Sequence, residues 1–94
     1  MKNKVLIIQA NYYKDISTAL LKSAKNELKN FAKINVISVP GVFEIPVVIS
    51  KNLKKYDGFV ALGCVIKGQT PHFDFISKST TDAIMNISVE SKKP

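Results

Sequence analysis

The sequence has a single cysteine, no tryptophan and no arginine, so all 14 of its basic residues are lysines. With Cys64 alone, the chain cannot form an internal disulfide or a zinc site built from several cysteines. We therefore expect it to reside in the reducing cytoplasm. The longest apolar runs, residues 5–8 and 59–62, are far too short to span a bilayer. The first residues also lack the long apolar segment of a secretory signal.

Ninety-four residues, 46% of them hydrophobic, predict one small folded domain and exclude general disorder. A chain of this length buries only about 60–65% of its unfolded surface, so its core is small. The formal net charge is +7. Part of it comes from lysines at helical spacing, which is typical of a solvated helix face. These are Lys22, Lys25, Lys29 and Lys33.

Nucleic-acid binding would require arginines and aromatic residues among the basic residues. The lysines here are mostly spaced out, and the aromatic residues lie elsewhere in the chain. The charge therefore favours solubility and a mild attraction for anionic ligands.

Strand and helix signals alternate along the chain, which predicts a parallel α/β sheet with right-handed crossovers. Three apolar or β-branched segments, residues 5–8, 34–39 and 59–66, are the predicted strands. Helices are predicted after Asp15, near Pro46 and from about His72. The predicted buried stripe of the first helix consists of Ile16, Leu20, Ala24, Leu28 and Phe31.

Ligands of open parallel sheets bind outside the carboxyl ends of the strands. One segment expected there is residues 63–72. Gly68 allows a close backbone approach, and Thr70 followed by Pro71 is typical of a helix start. Free N–H groups there, with Lys67 nearby, favour a phosphate or carboxylate. The same residues are also typical of an ordinary capped loop.

His72, the only histidine, falls in the first turn of the predicted last helix. The positive end of the helix dipole disfavours imidazolium, so we expect a neutral ring suited to proton transfer. The alternative is a surface or capping histidine. Cys64 is expected to be a small, partly buried residue at a strand end rather than a nucleophile. With one histidine and one cysteine, the evidence for a metal site is weak.

Two other loops are expected at the same edge of the sheet. In residues 40–46, the backbone of Val42 and Phe43 could read the edge of a planar ring. Glu44 either accepts hydroxyl donors or complements a helix dipole. In residues 10–14, Tyr12 and Tyr13 either stack on a ligand or cover a neighbouring helix.

Three motifs together resemble the 6,7-dimethyl-8-ribityllumazine synthases. They are VPGVFEIP at residues 39–46, YDG at 56–58 and ALGCVIKGQTPHFD at 61–74. The resemblance extends from about residue 5 to residue 94. It implies a three-layer, flavodoxin-like parallel sheet with flanking helices, in one domain over residues 1–94 that lacks the last strand and the C-terminal helices.

The resemblance also implies an activity. The family condenses 5-amino-6-(D-ribitylamino)uracil with 3,4-dihydroxy-2-butanone 4-phosphate in riboflavin biosynthesis, through an imine, loss of phosphate and ring closure. It uses no metal or redox cofactor. Its subunits form pentamers, sometimes packed into icosahedral shells, with each active site between two neighbours. No nucleic-acid or membrane partner is implied.

Individual residues match the family's functional positions. His72 matches the proton carrier, which is the catalytic residue. Gln69 and Thr70 match the loop that binds the butanone phosphate. The positions that bind the ribitylaminouracil are matched by Tyr12, Val42, Phe43, Glu44, Cys64, Val65 and Ile66.

The sequence departs from the family pattern in three ways. Asn11 replaces the usual arginine before the stacking aromatic residue. Lys67 stands where arginine is common, which keeps the charge and loses the bidentate fork. Family members also continue past the position of Pro94 with a strand and long helices, so we expect a C-terminally incomplete chain. The alternative is a non-catalytic remnant or a small module that binds a phosphate ligand.

Overall fold

The computed structural model describes residues 3–66 and 72–94. Strands and helices alternate, as the sequence predicts. The elements are β1 (Asn3–Ala10), α1 (Lys14–Leu28), β2 (Ala32–Val39), a 3₁₀ turn η1 (Val42–Glu44), α2 (Ile45–Asn52), β3 (Gly58–Leu62) and α3 (His72–Ser91). None of these helices, within the two described ranges, is long and apolar enough to cross a membrane.

The three strands form one parallel sheet in the order β2-β1-β3. This order matches the first three strands of flavodoxin-like folds. It confirms the predicted parallel α/β architecture. The register runs from Asn3 beside Ala32 to Ala10 beside Val39, and Gln9 lies beside Leu62. All three carboxyl ends therefore meet at one edge of the sheet.

The central strand β1 carries the core. Leu6, Ile7 and Ile8 are fully buried, because a central strand with helices on both faces has no solvated side. The main cluster contains Leu6 and Ile8 of β1 together with Ile45 and Ile49 of α2. The continuous apolar run in the sequence is thus explained by burial on two faces.

Helix α3 packs on the same face of the sheet as α2. Ile84 and Ile87 pack against the main cluster, and Thr80 is buried. The helix begins at His72, as the sequence predicts. Ile76 and Ala83, on the same side of the helix, are also half-buried.

The predicted third strand, residues 59–66, extends too far. It ends at Leu62, whose partner Gln9 is the last residue of β1 that pairs with β3. The ladder between β1 and β3 stops at this pair, one residue before β1 itself ends at Ala10, and residues 63–66 leave the sheet. Those residues are therefore free to form a loop at its carboxyl edge.

The predicted buried stripe of α1 is also partly wrong. Ile16 is 42% exposed, and Phe31 is 72% exposed in the turn beyond the helix end. Residues spaced strictly four apart drift about 40° per step around a helix with 3.6 residues per turn, so such a stripe does not stay on one face. The buried residue of α1 is Ser17. The helix cap is Tyr13, with no side-chain cap bond, and Asp15 lies in the first turn.

The end of α3 has an unusual backbone. Lys92 has a φ of 60°, the left-handed conformation that glycine normally adopts after a helix. Its N–H donates to the carbonyl of Ser88 at 2.9 Å, and the Ser88 hydroxyl donates to the carbonyl of Lys93 at 2.8 Å. The chain then returns to the sheet, where Phe59 N–H donates to Pro94 O at 3.0 Å.

We predict that Lys92→Gly raises the free energy of unfolding by about 0.5–1 kcal/mol, since a left-handed lysine is strained and glycine is not. Urea denaturation followed by circular dichroism measures the change. The matched control is Lys25→Gly inside α1, which we expect to lower stability by a similar amount. A loss of stability in both variants would contradict the prediction.

Candidate functional site

A cavity of about 310 Å³ opens at the carboxyl edge of the sheet, between the ends of β1 and β3 and the start of η1. Flavodoxin-like folds bind ligands at this place, where the strand order reverses. The lining residues come from all three predicted loops. They are Ala10, Tyr12, Tyr13, Gly41, Val42, Cys64, Val65, Ile66 and His72.

Two tyrosines form the wall contributed by the loop after β1. Their rings meet edge to face, with centroids 4.9 Å apart and an interplanar angle of 79°. Tyr12 is 75% exposed, so one face of its ring is available to a ligand. Tyr13 supports it from the side. The loop itself is held at Asn11, whose N–H donates to the carbonyl of Val39 at 2.9 Å.

Ser17 holds this loop in place through hydrogen bonds to its backbone, a role that the sequence analysis missed. Its hydroxyl is buried and donates to the carbonyl of Ala10 at 2.7 Å; it also lies 3.0 Å from the carbonyl of Tyr13. These carbonyls flank Asn11 and Tyr12, so one side chain holds both ends of the segment that carries the exposed ring. A serine one turn into a helix, four residues after a loop residue, is the signal that could have found it.

The wall from η1 depends on a close contact with the end of β3. A Cβ atom built on Gly63 would lie 2.4 Å from Val42 Cγ1, a distance that no real Cβ tolerates. Only glycine lets the two segments approach this closely. Gly63 is therefore a second residue that shapes the cavity; it lies in the predicted segment 63–72 but was not among the predicted site residues.

Two predicted site residues lie at the border of the cavity rather than in its lining. Phe43 is 55% exposed. Glu44 is also exposed, and its Oε2 lies 3.2 Å from the position that a Cβ would take on Gly41, which does line the cavity. The carboxylate therefore reaches the rim of the cavity through Gly41.

The third wall brings together the loop after β3 and the start of α3. Cys64 is half-buried, as expected, although it lies in the loop two residues beyond the end of β3; Val65 is also half-buried, and Ile66 is 55% exposed. His72, the first residue of α3, is exposed and lines the cavity. The remaining predicted loop residues, including Gln69 and Thr70, lie outside the described residues.

Few charged groups surround this cavity in the part of the chain that the structure describes. On the exposed side of α3, the hydrogen bond from Lys78 Nζ to Asp82 Oδ2 (2.7 Å), together with their Coulombic attraction, raises the pKa of Lys78. No three histidine, cysteine or acidic side chains among residues 3–66 and 72–94 come close enough to hold a metal ion. The lining offers a flat aromatic ring, apolar side chains, one thiol and one imidazole.

A smaller cavity of about 200 Å³ adjoins this site: Val42 and Val65 line both cavities, and Gly63 lines the smaller one. Thr80 of α3 lines it, and its buried hydroxyl finds no hydrogen-bond partner within the described ranges.

Comparison with known proteins gives one family. The family model of 6,7-dimethyl-8-ribityllumazine synthase matches residues 2–94. A relative of that name from Bartonella tribocorum is 44% identical over 95 residues, covering 97% of this chain and 63% of the relative. One from Agrobacterium fabrum is 43% identical and covers 99% of this chain and 68% of the relative.

A third relative, 6,7-dimethyl-8-ribityllumazine synthase 1 from Rhodopseudomonas palustris, is 41% identical and covers 97% of this chain and 61% of its own length. The chain thus spans roughly three fifths to two thirds of the length of these relatives. A match over nearly the whole chain at this identity establishes membership: the chain belongs to the 6,7-dimethyl-8-ribityllumazine synthase family.

Proposed function

We propose that this chain forms the ring-binding and proton-transfer part of a cytoplasmic 6,7-dimethyl-8-ribityllumazine synthase, which condenses 5-amino-6-(D-ribitylamino)uracil with 3,4-dihydroxy-2-butanone 4-phosphate. One observation carries the proposal. The cavity at the ends of β1 and β3 gathers residues that three separate loops supply. They are Tyr12, Val42, Cys64, Val65, Ile66 and His72.

The pyrimidine ring is proposed to stack on the exposed face of Tyr12. The Tyr12 ring packs against Tyr13, and the hydrogen bond from Ser17 to the carbonyl of Ala10 holds its loop in place. The loop after β3, residues 64–66, leaves the sheet ladder, so its backbone groups are available to the polar edge of the ring. Glu44, at the rim beside Gly41, is suited to accept hydrogen bonds from the ribityl hydroxyls. Phe43 is the neighbouring contact on this side.

His72 is proposed to move protons during the reaction. The amine of the uracil attacks the butanone carbonyl, and water leaves as the imine forms. A base then takes a proton as phosphate departs with the electrons of its C–O bond, and ring closure releases water again. An imidazole on the cavity wall can accept and return these protons. Gln69 and Thr70 are proposed to hold the phosphate at the start of α3.

We also infer a homo-oligomer, with the pentamer as the proposed unit. Phe75, Met85 and Val89 are each more than half exposed on α3. Their positions fall within about 80° of one another around the helix, so they form one apolar stripe. A stripe of this kind on a folded chain supports association with another subunit.

The catalytic role is tested with His72→Ala. We expect the rate of lumazine formation, followed by absorbance after mixing both substrates, to fall by about 10²–10⁴-fold. Binding of the ribitylaminouracil should change little, since the ring stacks on the opposite wall. Asp74→Asn, an exposed polar change one half-turn further along α3, is the control and should keep the rate. If the rate of His72→Ala falls less than threefold, His72 has no part in the mechanism. If the unaltered chain gives no product, the non-catalytic alternative is favoured.

The stacking role is tested with Tyr12→Ala. Loss of one aromatic platform should raise the Kd for ribitylaminouracil by about three- to tenfold, measured by fluorescence titration. Phe31→Ala removes an equally exposed aromatic ring in the turn between α1 and β2 and serves as the control. Equal effects of the two substitutions would mean that Tyr12 has no specific contact with the ligand.

The contact between Gly63 and Val42 gives a further test. Gly63→Ala should push Val42 away, lower the free energy of unfolding by about 1–3 kcal/mol and weaken ligand binding. Gly58→Ala, at the other end of β3, is the matched control, because its new Cβ would meet Pro94 at an ordinary 3.6 Å. Thermal denaturation measures the stability of the Gly63→Ala and Gly58→Ala variants, and the same fluorescence titration measures their ligand binding. Retention of full stability in Gly63→Ala would contradict the close packing.

A further inference from the structure

A second concave surface lies at the opposite edge of the sheet, where the strands begin. This cavity measures about 630 Å³. The six residue steps from Lys4 to Ala10 separate it from the candidate site by about 20 Å along β1. We call it the basic pocket. Its polar lining consists of Lys4, Lys33, Asn35, Lys54, Lys55 and Tyr56.

The register of the sheet concentrates positive charge in the basic pocket. Lys4 of β1 and Lys33 of β2 are direct partners across the parallel ladder, so their side chains leave the same face of the sheet. Lys54 and Lys55 come from the turn after α2. No carboxylate lines this pocket among the described residues, and within those ranges none of the four lysines has an ion-pair partner. The carboxylate of Asp57 lies beside the pocket, where Lys4, Lys54 and Lys55 also line an adjoining cavity, and it offsets part of this charge. The four lysines outnumber it, so the pocket keeps a net positive charge.

The backbone that carries these lysines is firmly held. Lys4 N–H donates to Asp57 Oδ2 at 2.8 Å, and Asp57 N–H donates back to the carbonyl of Lys4 at 2.8 Å. Lys55 N–H donates to the carbonyl of Asn52 at 3.0 Å. These bonds fasten the turn after α2 to the start of β1, so the pocket does not depend on a loose loop.

Two further links complete this frame. Asn35 Nδ2 donates to the hydroxyl of Tyr56 at 2.8 Å, which ties the turn to β2. Lys93 Nζ donates to the carbonyl oxygens of Leu53 and Tyr56 from the other side. Because the frame is already formed, a ligand needs to order only the lysine side chains.

We propose that the basic pocket binds a small polyphosphate anion. Four lysines from three segments surround a space of molecular size, and lysine ammonium groups bind phosphate as point charges. Cations spread around a cavity match an anion whose charge is spread over two or more phosphates better than a single phosphate. Bound anions would also relieve the repulsion between Lys4 and Lys33.

The same geometry disfavours nucleic acid as the ligand. Single strands are held by aromatic rings on which bases stack. The only aromatic ring that lines the pocket within the described residues is Tyr56. Its ring packs edge-on against Phe59, with centroids 6.0 Å apart, and its hydroxyl is bonded to Asn35. It is therefore a structural part of the wall.

The test is a titration of the ¹⁵N-labelled chain with inorganic pyrophosphate at low ionic strength, followed by amide NMR and calorimetry. We expect saturable shifts at the amides of Lys33, Lys54 and Tyr56, and a Kd at least about tenfold lower than that for orthophosphate. The double variant Lys33→Gln/Lys54→Gln should raise the Kd about tenfold and, without anion, raise Tm. Lys22→Gln/Lys25→Gln on α1 removes the same charge elsewhere and should leave the Kd within twofold.

Each other outcome would overturn the proposal. Shifts that fail to saturate, or an equal loss of affinity in the α1 double variant, would mean nonspecific attraction by net charge. Shifts concentrated at residues 63–66 would place the anion in the candidate site instead. Tighter binding of a single-stranded RNA oligonucleotide than of pyrophosphate would assign the pocket to nucleic acid.

Discussion

The burial of β1 on both faces is the constraint on which the rest of the structure depends. Leu6, Ile7 and Ile8 have no exposed surface, and ladders on either side hold the strand in register. Helices must therefore cover the sheet from both sides, and only the two edges where strands end remain open to ligands. The candidate site and the basic pocket occupy those two edges. A single strand thus places both of them.

Within the candidate site, small residues control where the large ones lie. Ser17 holds the two carbonyls around the exposed ring of Tyr12, and Gly63 lets the end of β3 come up against Val42. Neither residue offers chemistry to a substrate. Their contribution is to set the separation between an aromatic wall and a wall that carries His72. Such positioning is a general requirement for catalysis by orientation.

Much of this could be predicted from the sequence, for identifiable reasons. The unbroken apolar run of β1 and the helical period of α3 are strong local signals, and the strand-end motifs placed most of the cavity lining. The length of β3 could not be predicted, because the apolar run continues to Ile66 although the ladder with β1 already ends at Leu62. The exposed Phe31 and buried Ser17 depend on which way α1 turns against the sheet. Reciprocal bonds such as Lys4 with Asp57 join residues too distant in sequence for any local pattern.

The separation of about 20 Å between the two edges has a consequence for how charge acts on this molecule. At physiological ionic strength the Debye length is about 8 Å. The potential of the lysines at the amino-terminal edge is therefore largely screened at the other edge. At about 0.01 M salt the Debye length reaches about 30 Å, and the whole chain then attracts anions as one object. In cellular salt these lysines therefore do not steer anions toward the candidate site, whereas in dilute buffer they do.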